Sequence, residues 1–273
     1  MIGRISDNPW LSYMDRDDIL LEKNFCFESN DVTAAIHIGT SGWHYRHWRG
    51  PFYPRDIGGK GMFAFYAERF SSVEINNSFY RLPEVQPLNH WRDACRSDFV
   101  FAFKASRYLT HMKKLKTDAD ALSNLLKRVA CLSPKLGPIL FQLPPRWKVN
   151  PDRLKAFLDT LPDTYRYAFE FRDTTWHEPR IYDLLNRKNA AFCIYEFAGT
   201  RSAKQITADF IYVRLHGPGK EPYKGRYDPQ TLAGWAGAFS AWQRQGKNIY
   251  CYFDNDENGY AALNALELQE MLR

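Results

Sequence analysis

The stretch YRYAFEFRDTTW, residues Tyr165–Trp176, carries two signals on alternate positions. In an extended chain Phe169 and Phe171 project to one side, while Ala168, Glu170 and Arg172 project to the other. One face suits a hydrophobic layer. The other sets a carboxylate beside a guanidinium, and neither ion can be buried cheaply without a partner. Partners must therefore arrive from other parts of the fold.

The same alternation recurs along the chain. Strands are expected at AIHIGTSG, SVEINNSF, FVFAFKAS, GPILFQLP, YAFEFRD, AAFCIYEF, FIYVRLHG and NIYCYFDND. Segments of helical period lie between them. One places Met62, Phe65, Tyr66 and Phe70 on a common face, and a second Leu122, Leu125, Leu126 and Val129. A third offers Leu154, Phe157, Leu158 and Leu161, and a fourth Leu232, Trp235, Phe239 and Trp242. The link between the sixth and seventh strands, AGTRSAKQITAD, is short and poorly periodic.

Strands alternating with helices in this way predict an α/β fold, a single (β/α)8 TIM-type barrel over residues 34–273. Residues 1–33 form a short polar N-terminal extension, with one short helix expected around Asp17–Lys23. A doubly wound open sheet is the alternative. Its G-x-G-x-x-G turn is absent, and GTSGW after the first strand is a tighter turn.

A barrel strand has a helix-facing side and a lumen-facing side, and enzymes on this fold place their chemistry at the C-terminal mouth. With Val73 and Ile75 set against helices, Glu74 and Asn76 face inward. By the same rule Lys104, Gln142, Glu170, Arg172, Arg214, His216, Asp254 and Asp256 point into the lumen. Ordinary barrels fill these layers with Val, Ile and Leu. Polar and ionisable groups converging from six strands point instead to a functional site.

Glu74 and Glu170 are candidate acid and base carboxylates, with His216 as a further acid or base. Lys104 is read either as a nucleophile or base, or as a fixed positive charge. Arg107, His111, Gln142, Arg172, Arg214, Asn76, Asp254, Asn255 and Asp256 are candidate substrate ligands. Gly217 and Gly219 open the loop after the seventh strand, and Tyr223 and Tyr227 lie in it with Lys220, Lys224 and Arg226, a place where barrels bind phosphate. Trp176 belongs to a set of loop aromatics suited to stacking on a ring or to lid packing. No cofactor is expected. A divalent metal is the competing reading, since the carboxylates and His216 are suitable ligand types, but no HxH or HxxxH spacing occurs and four cations would oppose a dication.

The 273 residues are 45% hydrophobic and 25% charged, a globular composition. No apolar run approaches the roughly 18 residues of a membrane span, so no membrane partner is expected. The N-terminus lacks a signal-peptide pattern, and the 5 cysteines include no CxxC pair. Cytoplasmic location follows as the expectation. The formal charge of +6 favours anionic partners, either small ligands or nucleic acid, beside its ordinary contribution to solubility.

Seven motifs carry a resemblance: IGTSGWHYRHWRGPFYP, FSSVEINNSFYRLP, FAFKASRYLTH, LGPILFQLPPRW, YAFEFRDTTW, DFIYVRLHGP and YFDNDENGYAALNA. In this order they resemble the DUF72, or YecE-like, family from about Ile36 to the C-terminus. The resemblance implies a TIM-type barrel and no assigned activity. Two positions depart from the family pattern: Asp173 stands where many relatives have histidine, and Glu196 where many have aspartate.

The expectation is an enzyme acting on a phosphate- or carboxylate-bearing substrate by hydrolysis or by lyase- or isomerase-type acid/base chemistry. A single-stranded nucleic-acid-binding protein and a non-enzymatic metabolite sensor are the alternatives.

Overall fold

A computed structural model describes residues 34–116 and 118–273. The short helix expected at Asp17–Lys23 lies outside the described residues. In chain order the strands are β1 (Ile36–Thr40), β2 (Ser72–Ile75), β3 (Val100–Lys104), β4 (Leu136–Leu143), β5 (Tyr167–Phe171), β6 (Ala191–Phe197), β7 (Thr200–Arg201), β8 (Phe210–Leu215) and β9 (Asn248–Phe253). All but β7 pair in parallel, in the order β1-β9-β8-β6-β5-β4-β3-β2. The eight expected strands are all present, and they make an α/β barrel of TIM type.

Its seam lies between β1 and β2, where one bridge, Ser41 to Glu74, replaces a ladder. Gly39 permits the approach, because a Cβ there would lie 2.1 Å from the Ser72 carbonyl oxygen. The Tyr66 hydroxyl is inserted at this point. It accepts the Thr40 N–H at 2.9 Å and donates to the Ser72 carbonyl at 3.0 Å, so backbone groups left over by the missing ladder are satisfied.

Among the described residues seven α-helices surround the strands: α1 (Gly61–Arg69), α2 (Val85–Asp93), α3 (Ala119–Ala130), α4 (Pro151–Thr160), α5 (Pro179–Arg187), α6 (Pro229–Arg244) and α7 (Tyr260–Glu270). Several starts are legible as caps. Asp118, Asn150 and Asp228 each accept a backbone N–H of the first turn, and proline opens α4 and α6. The helices beyond the four periodic segments are those with thin apolar stripes. α2 buries only Leu88, and α7 packs mainly through small residues, Ala261, Ala262 and Ala265.

The weak link between the sixth and seventh expected strands contains no helix. Instead β6 turns into β7, and the chain runs to β8 without regular secondary structure. Buried side chains serve the β6 backbone there: Ser202 Oγ accepts the Tyr195 N–H at 2.8 Å and Thr207 Oγ1 the Phe192 N–H at 2.7 Å.

Two apolar layers result. Val73, Phe101, Phe103, Phe141, Phe169, Phe171 and Val213 pack outward against helices. Ala102, Leu140, Ala168, Cys193, Phe210, Tyr212, Tyr250 and Tyr252 fill the lumen.

Candidate functional site

Above that filling, the lumen-facing ends of the strands meet in one ion cluster. Arg214 stands at its centre, fully buried. Its guanidinium donates to Glu74 Oε1 at 2.8 Å, Glu170 Oε2 at 2.8 Å and Asp254 Oδ2 at 3.0 Å. Glu74 also accepts from Ser41 Oγ and from the Tyr212 hydroxyl, both at 2.7 Å. Arg172 Nε donates to Glu170 Oε1, and its plane lies 3.7 Å from the Phe197 ring centroid.

His216 is oriented from both sides. Nδ1 lies 3.0 Å from Asp254 Oδ2, and Nε2 lies 3.1 Å from Arg172 Nη2 and 3.3 Å from Arg214 Nη1. Guanidinium nitrogens only donate, so Nε2 presents its lone pair and the proton belongs on Nδ1, facing the carboxylate.

The electrostatics follow from this packing. Burial opposes ionisation of Glu170, but the Arg172 and Arg214 guanidiniums outweigh it and hold the carboxyl well below its ordinary range. Asp254 is likewise held low by His216 and Arg214 against the cost of burial. Arg214 is driven further up by Glu74, Glu170 and Asp254 although burial pulls the other way. Burial and then Arg214 draw the Lys104 ammonium down to about 8, with the three carboxylates opposing. Burial, followed by Lys104, Arg107 and Arg172, lowers His111 to about 4.

Glu74, Lys104, Glu170, Arg172, Arg214, His216 and Asp254 are thus brought together. Gln142 pairs in register with Glu170 and is partly exposed at the mouth. His111 packs edge-on against Phe79 at 4.9 Å. Tyr223 stands over His216, ring centroids 5.7 Å apart.

Other candidates lie elsewhere. Trp176 is fully buried on the helix side of β5, stacked on Phe171 with its indole N–H on the Trp147 carbonyl at 2.6 Å. Tyr227 is buried under the loop, and its hydroxyl accepts the Gly217 N–H at 3.1 Å. Asn255 ties Gly225 to Asn264. Asp256 offers its carbonyl to the Trp48 indole at 2.9 Å on the rim. Asn76 turns away into a cavity of about 820 Å³ bounded by Trp43, Phe63 and Trp91. Arg107 is exposed in a groove with Tyr80, Tyr108 and Met112.

The loop after β8 is not an open phosphate cradle. Lys224 pairs with Glu221, Arg226 with Glu267, and the Tyr223 N–H with the His216 carbonyl. Gly217 is required for this tight return, since a Cβ there would lie 2.2 Å from the Lys224 carbonyl oxygen. The two departing positions are also spoken for. Asp173 caps a short turn through Thr175, and Glu196 pairs with Arg201 at 3.2 Å.

Two expectations about chemistry change. Glu74 and Glu170, the candidate acid and base carboxylates, are bridged by one guanidinium rather than free to take independent roles. That same guanidinium fills the space among three carboxylates that a dication would need, and among the described residues no cluster of His, Cys, Asp or Glu has metal-binding geometry. Sequence reasoning passed over Ser41, Tyr212 and Phe197. Tyr212 was within reach, two residues before Arg214 on the same face of β8.

Comparison with known proteins agrees with this fold. The UPF0759 protein YecE of Escherichia coli is 31% identical over 140 residues, which is 50% of this chain and 48% of YecE. The UPF0759 protein YunF of Bacillus subtilis is 23% identical over 273 residues, 87% of this chain and 94% of YunF. The chain therefore spans about half the length of YecE in the first match, 48%, and nearly all of YunF in the second, 94%. The crystal structure of a DUF72 family protein from Thermotoga maritima superimposes with a TM-score of 0.80 at 25% identity, covering 87% of this chain and 99% of that one. One from Enterococcus faecalis gives 0.72 at 18% identity over 87% and 95% of the two chains, a likeness of fold alone. Residues 37–273 match the family model described as a protein of unknown function, DUF72, and the chain belongs to that family.

Proposed function

We propose that the protein is an enzyme whose site lies at the C-terminal mouth of the barrel and which takes an anionic, phosphate- or carboxylate-bearing substrate. One observation carries the reading: two cationic side chains at the open edge of the ion cluster keep donors unspent. Arg172 Nη1 makes no hydrogen bond among the described residues although the side chain is only 5% exposed. Lys104 Nζ makes none either, and the residue is only 7% exposed. Neither atom is among the fully buried ones, so both stay reachable from the mouth, and an incoming anion would supply the acceptor the protein does not. Glu170 and Arg214 then act as positioning residues. They fix Arg172 and His216, and Asp254 with His216 supplies acid/base capacity at the edge.

The test is incubation of the purified chain with a pool of anionic metabolites, followed by mass spectrometry. Consumption of a phosphate- or carboxylate-bearing compound by the wild type, lost in Arg172→Met with its melting temperature kept, is the expected result. A compound that binds tightly and is returned unaltered would make the protein a sensor. The groove holding Arg107, Tyr80 and Tyr108, with Tyr80 76% exposed, favours a second reading as a single-strand nucleic-acid surface. That reading requires binding that falls steeply with salt and is weakened by Arg107→Ala.

A further inference from the structure

Lys104 differs from every other charged member of the cluster in having no partner. It ends β3, and its backbone is held on both sides: its carbonyl accepts Ser78 Oγ at 2.6 Å, and the following N–H, of Ala105, donates to the Leu140 carbonyl at 2.8 Å. The side chain is more than nine-tenths buried, and Nζ lies 4.4 Å from the centroid of the Phe79 ring. Among the described residues no carboxylate lies within ion-pair distance of Nζ.

The carboxylates nearby are committed elsewhere. Both oxygens of Glu74 and both of Glu170 accept hydrogen bonds from other groups. Asp254 spends Oδ2 on Arg214 and His216, which leaves Oδ1 without a donor among the described residues. The groups acting on the amine are Glu74 from β2, Glu170 from β5, Arg214 from β8, Asp254 beyond β9, and His111, which follows β3.

We propose that Lys104 is an imine-forming nucleophile and that the substrate class is an anionic carbonyl compound, an aldehyde or ketone carrying a carboxylate or phosphate. This deepens the anion-binding reading above and rests on it. The neutral amine adds to the carbonyl carbon, and one N–H proton passes to the new alkoxide. The resulting carbinolamine takes up a proton and loses its hydroxyl as water, which leaves a protonated C=N bond to Nζ. Water reverses the sequence and returns the amine. No oxidant or reductant enters. Arg172 Nη1 holds the anionic group, and the imine serves as the electron sink that lyase or isomerase chemistry at the adjacent carbon requires. The lowered proton affinity of the amine makes more of it neutral near pH 7.5 than of an exposed lysine.

The experiment traps the imine in the full chain with glyoxylate and, separately, pyruvate, each in the presence of sodium cyanoborohydride at pH 7.5. Intact mass and peptide mapping give the position of the reduced adduct. The expected result is one saturable adduct on the Lys104 peptide, formed roughly tenfold or more faster than on exposed lysines such as Lys148 and Lys155. Lys104→Arg and Lys104→Met should lose it. Because mapping locates the adduct in the wild type, the result stands even if a variant folds poorly. Labelling at Lys104 no faster than at the exposed lysines, with both probes, overturns the proposal. A melting-temperature rise with pyruvate or phosphate, measured in parallel, separates the two readings. If it persists without an adduct, the anion site stands and the imine falls; if it is absent as well, the anion site falls too.

Discussion

The lower and upper halves of the lumen are built on the same strands and in the same inward register, yet in opposite chemistry. Along β8 the inward residues run Phe210, Tyr212, Arg214 and then His216, and along β9 they run Tyr250, Tyr252 and then Asp254. β5 passes from Ala168 to Glu170 and Arg172, and β3 from Ala102 to Lys104. The floor is sealed by volume. The roof is sealed by mutual satisfaction of charges around Arg214. Tyrosines form the boundary, apolar by ring and polar by hydroxyl, with Tyr212 bonded up to Glu74 and Tyr252 across to Ser72 at 2.7 Å. Ordinary barrels continue the apolar floor upward, and the change of chemistry here is what motivates the proposal of a site at the mouth.

The comparison is broken most severely at Arg214. Arg214→Leu leaves Glu74, Glu170 and Asp254 buried without their shared partner, and a loss of about 3–5 kcal/mol is expected in urea unfolding. A loss under 1 kcal/mol would mean that the cluster is hydrated and its charges are not truly desolvated. In the floor, Leu140→Ala removes a fully buried side chain and should cost about 2–4 kcal/mol, while the melting-temperature response to added phosphate or pyruvate remains unchanged. If that response disappears with the floor mutation, the two halves are coupled rather than separable.

The smallest effect concerns pH. Lys104 is drawn below its unfolded value, to about 8, so between about pH 8 and 10.5 the unfolded chain binds more protons than the folded one at this position. This group's contribution to stability therefore rises with pH across that window, with a slope of at most about 1.4 kcal/mol per pH unit. Lys104→Met should flatten the rise relative to wild type in urea titrations at pH 7.5 and 9.5. Parallel curves would show that the amine is not desolvated. The depressed carboxyls of Glu170 and Asp254 act at the other end: their stabilisation is present above the ordinary carboxylate range and is lost as pH falls through their lower folded values.

Much of this was legible along the chain. Phe169 and Phe171 against Glu170 and Arg172 gave both faces of β5 correctly, and the poor periodicity of AGTRSAKQITAD marked the place where a helix is missing. Misplacements were concentrated beyond the strand ends. Asn76, Asp256 and Trp176 follow the last ladder residue, where backbone dihedrals leave the extended region and the period of two no longer assigns a side. Tyr227 and Asn255, read as ligands from their polar tips, are consumed in holding the loop after β8 to α7.

Alone, the amino-acid order determines what depends on neighbouring residues: strand after strand, which side chains share a face, and that six of the eight strands have polar or ionisable inner ends. Which charges meet is set only on closure. Glu74 and Arg214 are 140 positions apart, and no local rule relates them. Their contact, the sharing of one guanidinium by three carboxylates, and the isolation of the Lys104 amine arise from the stagger and tilt with which the sheet closes on itself. That geometry belongs to the barrel as a whole and to no segment of it.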